Sequence, residues 1–265
     1  MIILSLLSYL VLFLILLRIR SIKLSKTWFV PLFAIYTGML CATLLAIFFN
    51  GSDSSFSSED SFFTVIFDLL NPCNKRGKVM LGGYFGSIVG ILIANSLFKR
   101  KSLSEFLDIS AISISFLFSI WRIGCFLGGC CYGIPTKILG VKFNQSTVAH
   151  AKLRNSLLVN GDFTVPLLPT QLISSFGDFA IFLFLLVLFC KNKTRYPYFY
   201  FFAQAFLYGT GRFTIEFLRI DPREFWGPLS MSQWFSLGLV TASLVFFIKN
   251  RKEIMQSFKN PSRNS

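Results

Sequence analysis

Seven apolar segments, separated by short polar connections, restrict this chain to folds that form in a lipid bilayer. A helix that crosses the hydrocarbon core needs about 20 predominantly apolar residues, and each segment reaches or approaches that length. Charged residues make up only 14% of the 265-residue chain, against about 25% in soluble domains, which excludes a disordered, secreted or cytosolic protein. We therefore predict an all-α membrane protein with seven transmembrane helices. They cover residues 1–17, 28–49, 79–98, 109–126, 169–190, 198–218 and 229–248.

The basic residues predict the orientation of these helices. The net charge of +14 would suggest a nucleic-acid partner in a soluble protein, but fifteen of the 26 Lys and Arg residues follow the first, third, fifth and seventh segments. Positively charged connections stay in the cytoplasm, so we predict the N-terminus outside, the C-terminus in the cytoplasm, and no nucleic-acid partner. The fifteen are Arg18, Arg20, Lys23, Lys26, Lys99, Arg100, Lys101, Lys191, Lys193, Arg195, Lys249, Arg251, Lys252, Lys259 and Arg263.

The remaining organisation is simple. The first segment carries its positive charge after the apolar run, so it is expected to stay as a helix and not to be cleaved as a signal peptide. We predict one polytopic domain over residues 1–265. The longest outer connection, 132–168, mixes basic and apolar residues and is expected to form a small folded or interfacial element on the outer side.

Three arginines lie within or beside apolar segments on the predicted outer side: Arg122, Arg212 and Arg219. Such a charge usually faces a protein interior or a cavity, although an arginine near a helix end can instead extend to the lipid headgroups. Tyr208, Arg212, Glu216 and Arg219 share one helical face, and Glu216 can pair with either arginine. One positive charge would remain, and guanidinium binds phosphate in a bidentate manner, so we predict an anion site here.

Two other groups of polar residues are expected to be surface residues. His150, the only histidine, lies in the 132–168 connection and is interpreted as a surface residue, with a substitute catalytic base as the alternative. Asp221, Arg223 and Glu224 follow the sixth segment and are interpreted as solvated loop charges.

Glycines recur every four residues in the third segment, at Gly82, Gly86 and Gly90, and Ala94 continues the series. This pattern is typical of two membrane helices in close contact. At the end of the helix, Gly82 and Gly83 can instead allow a ligand to approach the backbone.

The six cysteines fall into two groups. Cys41 and Cys190 lie in apolar segments and are interpreted as small hydrophobic residues. The others lie on the predicted outer side, where the alternatives are one disulfide and a reactive thiol. Their C-x4-C-C spacing does not match a zinc site, so no metal is predicted. These are Cys73, Cys125, Cys130 and Cys131.

Residues 121–133, W-R-I-G-C-F-L-G-G-C-C-Y-G, resemble the signature G-R-x-G-N-F-x-N-x-E-x-x-G of the prolipoprotein diacylglyceryl transferases. Four more of that family's motifs occur in order, so the resemblance covers about residues 79–240. They are Leu81-Gly82-Gly83 for H-G-G, Pro169-Thr170-Gln171-Leu172 for P-[ST]-Q-L, Tyr208, Gly209, Arg212, Glu216 and Arg219 for Y-G-x-x-R-x-x-x-E-x-x-R, and Ser230, Met231 and Gln233 for S-M-x-Q.

The resemblance implies a transferase of the bacterial cytoplasmic membrane that acts in lipoprotein biosynthesis without a cofactor. Such an enzyme moves the diacylglyceryl group of phosphatidylglycerol onto the lipobox cysteine thiol in the signal peptide of a prolipoprotein. By position, Arg122, Arg212 and Glu216 would be catalytic, with both arginines on the lipid phosphate. The substrate-binding residues would be Tyr208, Arg219, Gly82, Gly83, Gly124, Gly133 and Gln171.

The chain also departs from the family pattern. Leu81 replaces the histidine proposed to activate the substrate thiol, and Leu168 replaces a second histidine. The signature Asn, Asn and Glu become Cys125, Gly128 and Cys130. An alternative therefore stays open, a catalytically silent or altered phospholipid-binding membrane protein on the same fold. The sequence shows no broken-helix repeats that would indicate a transporter or channel.

Overall fold

The computed structural model describes residues 1–22, 27–50, 80–97, 102–191, 194, 196–221 and 225–259, with the backbone alone for 46–50 and 80–81. A helix coincides with each of the seven predicted segments. These helices are α1 (Ile2–Ile19), α2 (Val30–Asn50), α3 (Met80–Leu97), α4 (Leu103–Gly128), α6 (Thr170–Cys190), α7 (Phe199–Glu216) and α8 (Met231–Lys249). The other elements are α5 (Val148–Leu153), α9 (Arg251–Lys259) and the strands β1 (Val159–Asn160), β2 (Phe163–Thr164), β3 (Phe225–Trp226) and β4 (Leu229–Ser230).

Four of these helices, α1, α4, α6 and α8, are long and apolar enough to cross a membrane. Shorter apolar stretches, Val30–Leu45 and Gly82–Leu97, lie in α2 and α3. Large hydrophobic side chains stay exposed along these helices, for example Leu7, Phe184 and Val245. Exposed apolar surface on long helices is stable in lipid and unfavourable in water, so the chain is a mostly helical, multi-pass membrane protein, as the predicted all-α class requires.

The chain folds as two compact units, one of Ile2–Ile114 and one of Met1 with Ser115–Ser265. In the first unit, α2 and α3 are in close contact along the glycine series. A Cβ atom on Gly82 would lie 2.5 Å from the Cys41 carbonyl oxygen, and one on Gly86 would lie 2.5 Å from the Thr37 carbonyl oxygen. The predicted close packing of the third helix is therefore confirmed.

The second unit contains the folded element that 132–168 was expected to form. Its core consists of Tyr132, Phe143, Ala149 and Leu167, and β1 and β2 form a short antiparallel hairpin beside it. The predicted folded element is confirmed.

The expected surface position of His150 is wrong, because only 9% of this residue is exposed. The Thr147 side chain caps α5 by accepting a hydrogen bond from the His150 backbone N–H. The ring Nε2 of His150 lies 3.2 Å from the Gly161 carbonyl oxygen, so the side chain is held within the folded element.

The β3–β4 hairpin leads directly into α8. Ser230 caps this helix with a capping box, in which its Oγ accepts a hydrogen bond from the Gln233 backbone N–H and the Gln233 side chain accepts one from the Ser230 backbone N–H. The S-M-x-Q motif is thus a helix start, and it places Ser230 beside the end of α7.

Candidate functional site

Glu216, at the end of α7, is the centre of a buried ion-pair network. Its Oε2 lies 2.9 Å from Nη2 of Arg212 and 3.1 Å from Nη1 of Arg219. Its Oε1 accepts a hydrogen bond of 3.0 Å from the Ser230 hydroxyl, and the residue is only 1% exposed. The pairing predicted from the helical spacing is confirmed, and both carboxylate oxygens are occupied.

Arg219 has a second carboxylate partner that the sequence analysis missed. Its Nε and Nη2 donate hydrogen bonds to the two carboxylate oxygens of Asp221, at 2.8 and 2.6 Å. The interpretation of Asp221 as a solvated charge is therefore wrong, while Arg223 and Glu224 lie outside the described residues. Burial lowers the pKa of Arg219, but the Asp221 hydrogen bonds and nearby negative charges outweigh it and raise that pKa above its usual value. The charge predicted to remain for an anion is not on Arg219.

A cavity of about 330 Å³ lies between α4, α6 and α7 in the second unit. Three ionisable residues, Arg122, Arg212 and Asp178, line it together with Tyr208, among apolar side chains of α6 and α7. The cavity thus joins both predicted catalytic arginines to one apolar space. The other lining residues are Ile173, Ser174, Gly177, Ile181, Gly211, Thr214, Ile215 and Leu218.

Both cavity arginines have a buried donor without a hydrogen-bond partner among the described residues. These are Nε of Arg122, a residue that is 4% exposed, and Nη1 of Arg212. Arg212 uses its other terminal nitrogen, Nη2, for Glu216 and for the Ser232 hydroxyl at 3.1 Å. Leaving a buried donor unpaired costs about 1–3 kcal/mol, and more for a charged group. A pair of such donors on one cavity is the pattern expected where an anionic ligand supplies the missing acceptor.

Asp178 is a cavity residue that the sequence analysis did not identify. It lies in the middle of α6, is 7% exposed, and interacts electrostatically with Arg122 and Arg212. The signal was present, because a carboxylate inside an apolar segment is itself a reason to expect a functional site.

Exposed residues, two of them glycines, form the mouth of the cavity. Ile173, Gly177, Gly211 and Thr214 line the cavity and are also exposed on the surface of the second unit. A Cβ atom on Gly177 or Gly211 would meet no atom within 4 Å, so both positions border open space. The cavity therefore opens between α6 and α7.

The turn that follows α4 brings three cysteine thiols together. The sulfur atoms of Cys125, Cys130 and Cys131 all lie within 4.8 Å of one another. Hydrogen bonds from Cys125 and Cys130 lower the pKa of the Cys131 thiol well below its usual value, and the charges of Arg219 and Arg122 lower it further. These three cysteines, with Cys41 and Cys190, are free thiols, and Cys73 lies outside the described residues.

Comparison with known proteins identifies the family. The model of the prolipoprotein diacylglyceryl transferase family matches residues 1–249. The chain belongs to this family.

Curated relatives in the family carry matching names. Proteins named phosphatidylglycerol–prolipoprotein diacylglyceryl transferase from Clostridium perfringens (the protein numbered 2) and Clostridium tetani are each 35% identical to this chain, over 183 and 167 residues. The matches cover 67% and 62% of this chain, and 66% and 61% of those proteins. A relative of the same name from Prochlorococcus marinus is 31% identical over 226 residues, which are 77% of this chain and 72% of that protein. The chain thus spans less than two thirds of the length of each of the two clostridial relatives.

Gln171 and Gly133, two of the residues that match the transferase motifs, stabilise the turn that follows α4, here called the signature turn (residues 129–133). Gln171, which is fully buried, donates a hydrogen bond of 2.6 Å from Nε2 to the Cys130 carbonyl oxygen and so holds this turn in place. A Cβ atom on Gly133 would lie 2.7 Å from the Leu218 carbonyl oxygen, so this glycine allows the signature turn to pack against the end of α7.

The remaining glycines of the transferase motifs lie at helix contacts. Gly124 is adjacent to Met1, and Gly82 and Gly83 lie in α3 of the first unit, where Gly82 faces the backbone of α2. Their assignment to substrate binding stays a prediction.

Proposed function

We propose that this protein transfers the diacylglyceryl group of phosphatidylglycerol to the lipobox cysteine thiol of a prolipoprotein. The observation that carries the proposal is the pair of unpartnered, buried guanidinium donors, on Arg122 and Arg212, in an apolar cavity of about 330 Å³. A lipid phosphate supplies acceptors for both donors, and the names of the relatives give the same lipid and the same acceptor class.

In this mechanism, a different side chain holds each of the two arginines in position. Glu216 fixes the orientation of Arg212, so its Nη1 is directed to the phosphate without a loss of side-chain freedom on binding. Arg122 is anchored by a hydrogen bond with Tyr208 and offers Nε. When sulfur attacks the glycerol carbon, the C–O bond to phosphate breaks and negative charge develops on the leaving oxygen. Donors already in place for this charge typically contribute about 10²- to 10³-fold each to the rate.

Asp178 accounts for the choice of phosphatidylglycerol among anionic lipids. Its carboxylate lines the same cavity as the two arginines and accepts hydrogen bonds from hydroxyl groups. With the phosphate on Arg122 and Arg212, the free glycerol of the headgroup has two hydroxyls that match this acceptor. A lipid without a polyol headgroup leaves the carboxylate unmatched.

The acyl chains leave the cavity through its mouth. Gly177 and Gly211 keep the space between α6 and α7 open, and the surrounding helix surface is apolar. A phospholipid in the bilayer therefore places its phosphate at the arginines while its chains stay among other lipids.

The same proposal includes the topology. Seven helices cross the bacterial cytoplasmic membrane as one polytopic domain, with the N-terminus outside and the C-terminus in the cytoplasm. Arg122 and Arg212 lie toward the outer side, where a translocated prolipoprotein presents its signal peptide and lipobox cysteine. The distribution of basic residues supports this orientation.

The test is thioether formation by the purified protein in phosphatidylglycerol vesicles, with a lipobox peptide and detection by mass spectrometry. We expect transfer by the unmodified protein and its loss in Arg212→Ala. Arg154→Ala is the matched control, because it removes the same charge from an exposed position in the outer element. Lipid binding without any transfer, together with failure to complement a cell depleted of its own transferase, would overturn the proposal in favour of a catalytically silent lipid-binding protein.

A further inference from the structure

Three sulfur atoms lie together at the outer end of α4, although their spacing along the chain does not predict it. Cys125 is in the last turn of α4, and Cys130 and Cys131 are in the following turn, where Gly129 and Cys131 have positive φ angles of 67° and 60°. This backbone reversal returns the chain toward Cys125, so a C-x4-C-C segment forms a compact group. A spacing rule derived from other turns cannot detect it.

The group has the dimensions of a soft-metal site. Zinc binds thiolate at about 2.3 Å, which places the sulfurs of one tetrahedral site about 3.8 Å apart. The three sulfurs here are all within 4.8 Å of one another, so a shift of less than about 1 Å closes them on one ion. Among the described residues this candidate group contains only cysteines, and three protein ligands leave one coordination position open.

The backbone that carries two of the thiols is fixed in advance. The Thr170 hydroxyl donates a hydrogen bond of 2.6 Å to the Cys131 carbonyl oxygen, and Gln171 donates one of the same length to the Cys130 carbonyl oxygen. These bonds join the turn to the start of α6. They hold the ligand side chains in place as outer contacts of known metal sites do.

The charges nearby suit an anionic metal–thiolate complex. Zinc with three thiolates has a net charge of −1, and a fourth thiolate makes it −2. The positive charges of Arg219 and Arg122 act on Cys131, and Arg122 lies one helical turn before Cys125. The cysteine group is therefore adjacent to the cavity that holds the phosphate in the proposed function.

We propose that Cys125, Cys130 and Cys131 bind one zinc ion whose open position takes the acceptor thiol. This inference rests on the proposed function. The acceptor thiol binds as a thiolate and releases its proton to water. Its sulfur then forms a bond with the glycerol carbon, the C–O bond to phosphate breaks, and the electron pair leaves on the oxygen of glycerol phosphate. Zinc thus activates the acceptor beside a cavity that, in the described part of the chain, has no histidine in its lining.

Metal content and cobalt absorption of the full chain in detergent test the site without reference to activity. We expect one zinc per chain by elemental analysis, and with Co²⁺ a thiolate charge-transfer band in the near ultraviolet. Cys131→Ser and Cys125→Ser should weaken Zn²⁺ binding by at least about 100-fold, because loss of a ligand exceeds the 10- to 100-fold effect of an outer contact. Cys190→Ser, at an exposed cysteine outside the group, should bind as the unmodified protein does. Thermal unfolding of each variant checks that it is folded.

The outcomes separate the two proposals. Zinc binding that depends on the three cysteines, with transfer that a chelator stops and Zn²⁺ restores, supports both. Transfer that continues at full rate in metal-free protein overturns this inference and retains the proposed function. Zinc binding without any transfer retains the metal site and overturns the proposed function. A disulfide among the three cysteines, or copper(I) bound in place of zinc, overturns the inference.

Discussion

Two groups of charged residues each include residues of α7, and they differ in how completely their charges are paired. In the Glu216 cluster, formed by Glu216, Nη2 of Arg212, Arg219, Asp221 and Ser230, every carboxylate has a partner and Arg219 has two. In the cavity group, formed by Arg122, Tyr208, Asp178 and Nη1 of Arg212, two buried donors have no partner in the described structure.

This difference distinguishes residues that stabilise the fold from residues that bind a ligand. A fully paired buried network contributes to the fold and to the orientation of Arg212, and removal of one member leaves an uncompensated charge. An incompletely paired group costs stability in the ligand-free protein and recovers it when an anion binds. Arg212 belongs to both groups through different nitrogen atoms, and in this way the fold is coupled to the ligand.

Substitution of Glu216 should give the largest effect and should act on the fold. Glu216→Gln removes the negative charge between Arg212 and Arg219, so we expect a loss of about 3–5 kcal/mol in the free energy of unfolding. Chemical denaturation in detergent, followed by tryptophan fluorescence, measures it. A change below about 1 kcal/mol would contradict the supporting role of the cluster.

Substitution of Arg122 should instead act on the ligand. Arg122→Ala removes one unpartnered donor, so transfer of the diacylglyceryl group should fall about 10²- to 10³-fold, while the loss of unfolding free energy should be smaller than in Glu216→Gln. Initial rates in phosphatidylglycerol vesicles measure the effect. Arg122→Lys should recover little, because an ammonium group does not reproduce the planar guanidinium donors. Equal losses of stability in Arg122→Ala and Glu216→Gln would remove the distinction between the two groups.

Ser230 tests the outer part of the Glu216 cluster. Ser230→Ala removes the cap of α8 and the hydrogen bond to Glu216, and we expect a loss of roughly 2 kcal/mol of unfolding free energy. Ser230→Thr keeps the hydroxyl and is the matched control. If both variants have the stability of the unmodified protein, the hydroxyl does not support Glu216.

Asp178 should give the smallest effect, and one on lipid choice. Asp178→Asn keeps the shape but replaces an acceptor-only group, so the preference for phosphatidylglycerol over phosphatidic acid should fall by about tenfold, or about 1.4 kcal/mol. Competition between the two lipids in mixed vesicles measures this ratio. A ratio that does not change, with equal rates on both lipids, would place Asp178 outside headgroup recognition.

The sequence predicts the parts of this structure that depend on apolar segments and on local periodicity. The helices lie at the apolar segments, whereas the close packing at Gly82 and Gly86 and the pairing of Arg212 with Glu216 follow from spacing on one helix. The features it missed depend on chain reversal or on burial in three dimensions. Asp221 folds back onto Arg219 after the helix ends, and His150 is covered by its own small element.

The cysteine group shows the same limit more clearly. Its spacing excludes a zinc site if ligands are counted along a regular turn, but positive φ angles at Gly129 and Cys131 bring the sulfurs together. Glycine adopts positive φ angles readily, so the conformation of Gly129 is compatible with its residue type. Nothing in the sequence indicates a left-handed conformation for Cys131.

Binding of phosphatidylglycerol to the cavity arginines tests the central claim most directly. Native mass spectrometry of the detergent-solubilised protein at increasing lipid concentration gives the bound fraction without any requirement for transfer. We predict that the Arg122→Ala, Arg212→Ala double variant binds at least about 100-fold more weakly than the unmodified protein, equivalent to about 2.7 kcal/mol, while Arg154→Ala binds equally well. Equal binding by the double variant and the unmodified protein would show that the unpaired donors do not hold the lipid phosphate.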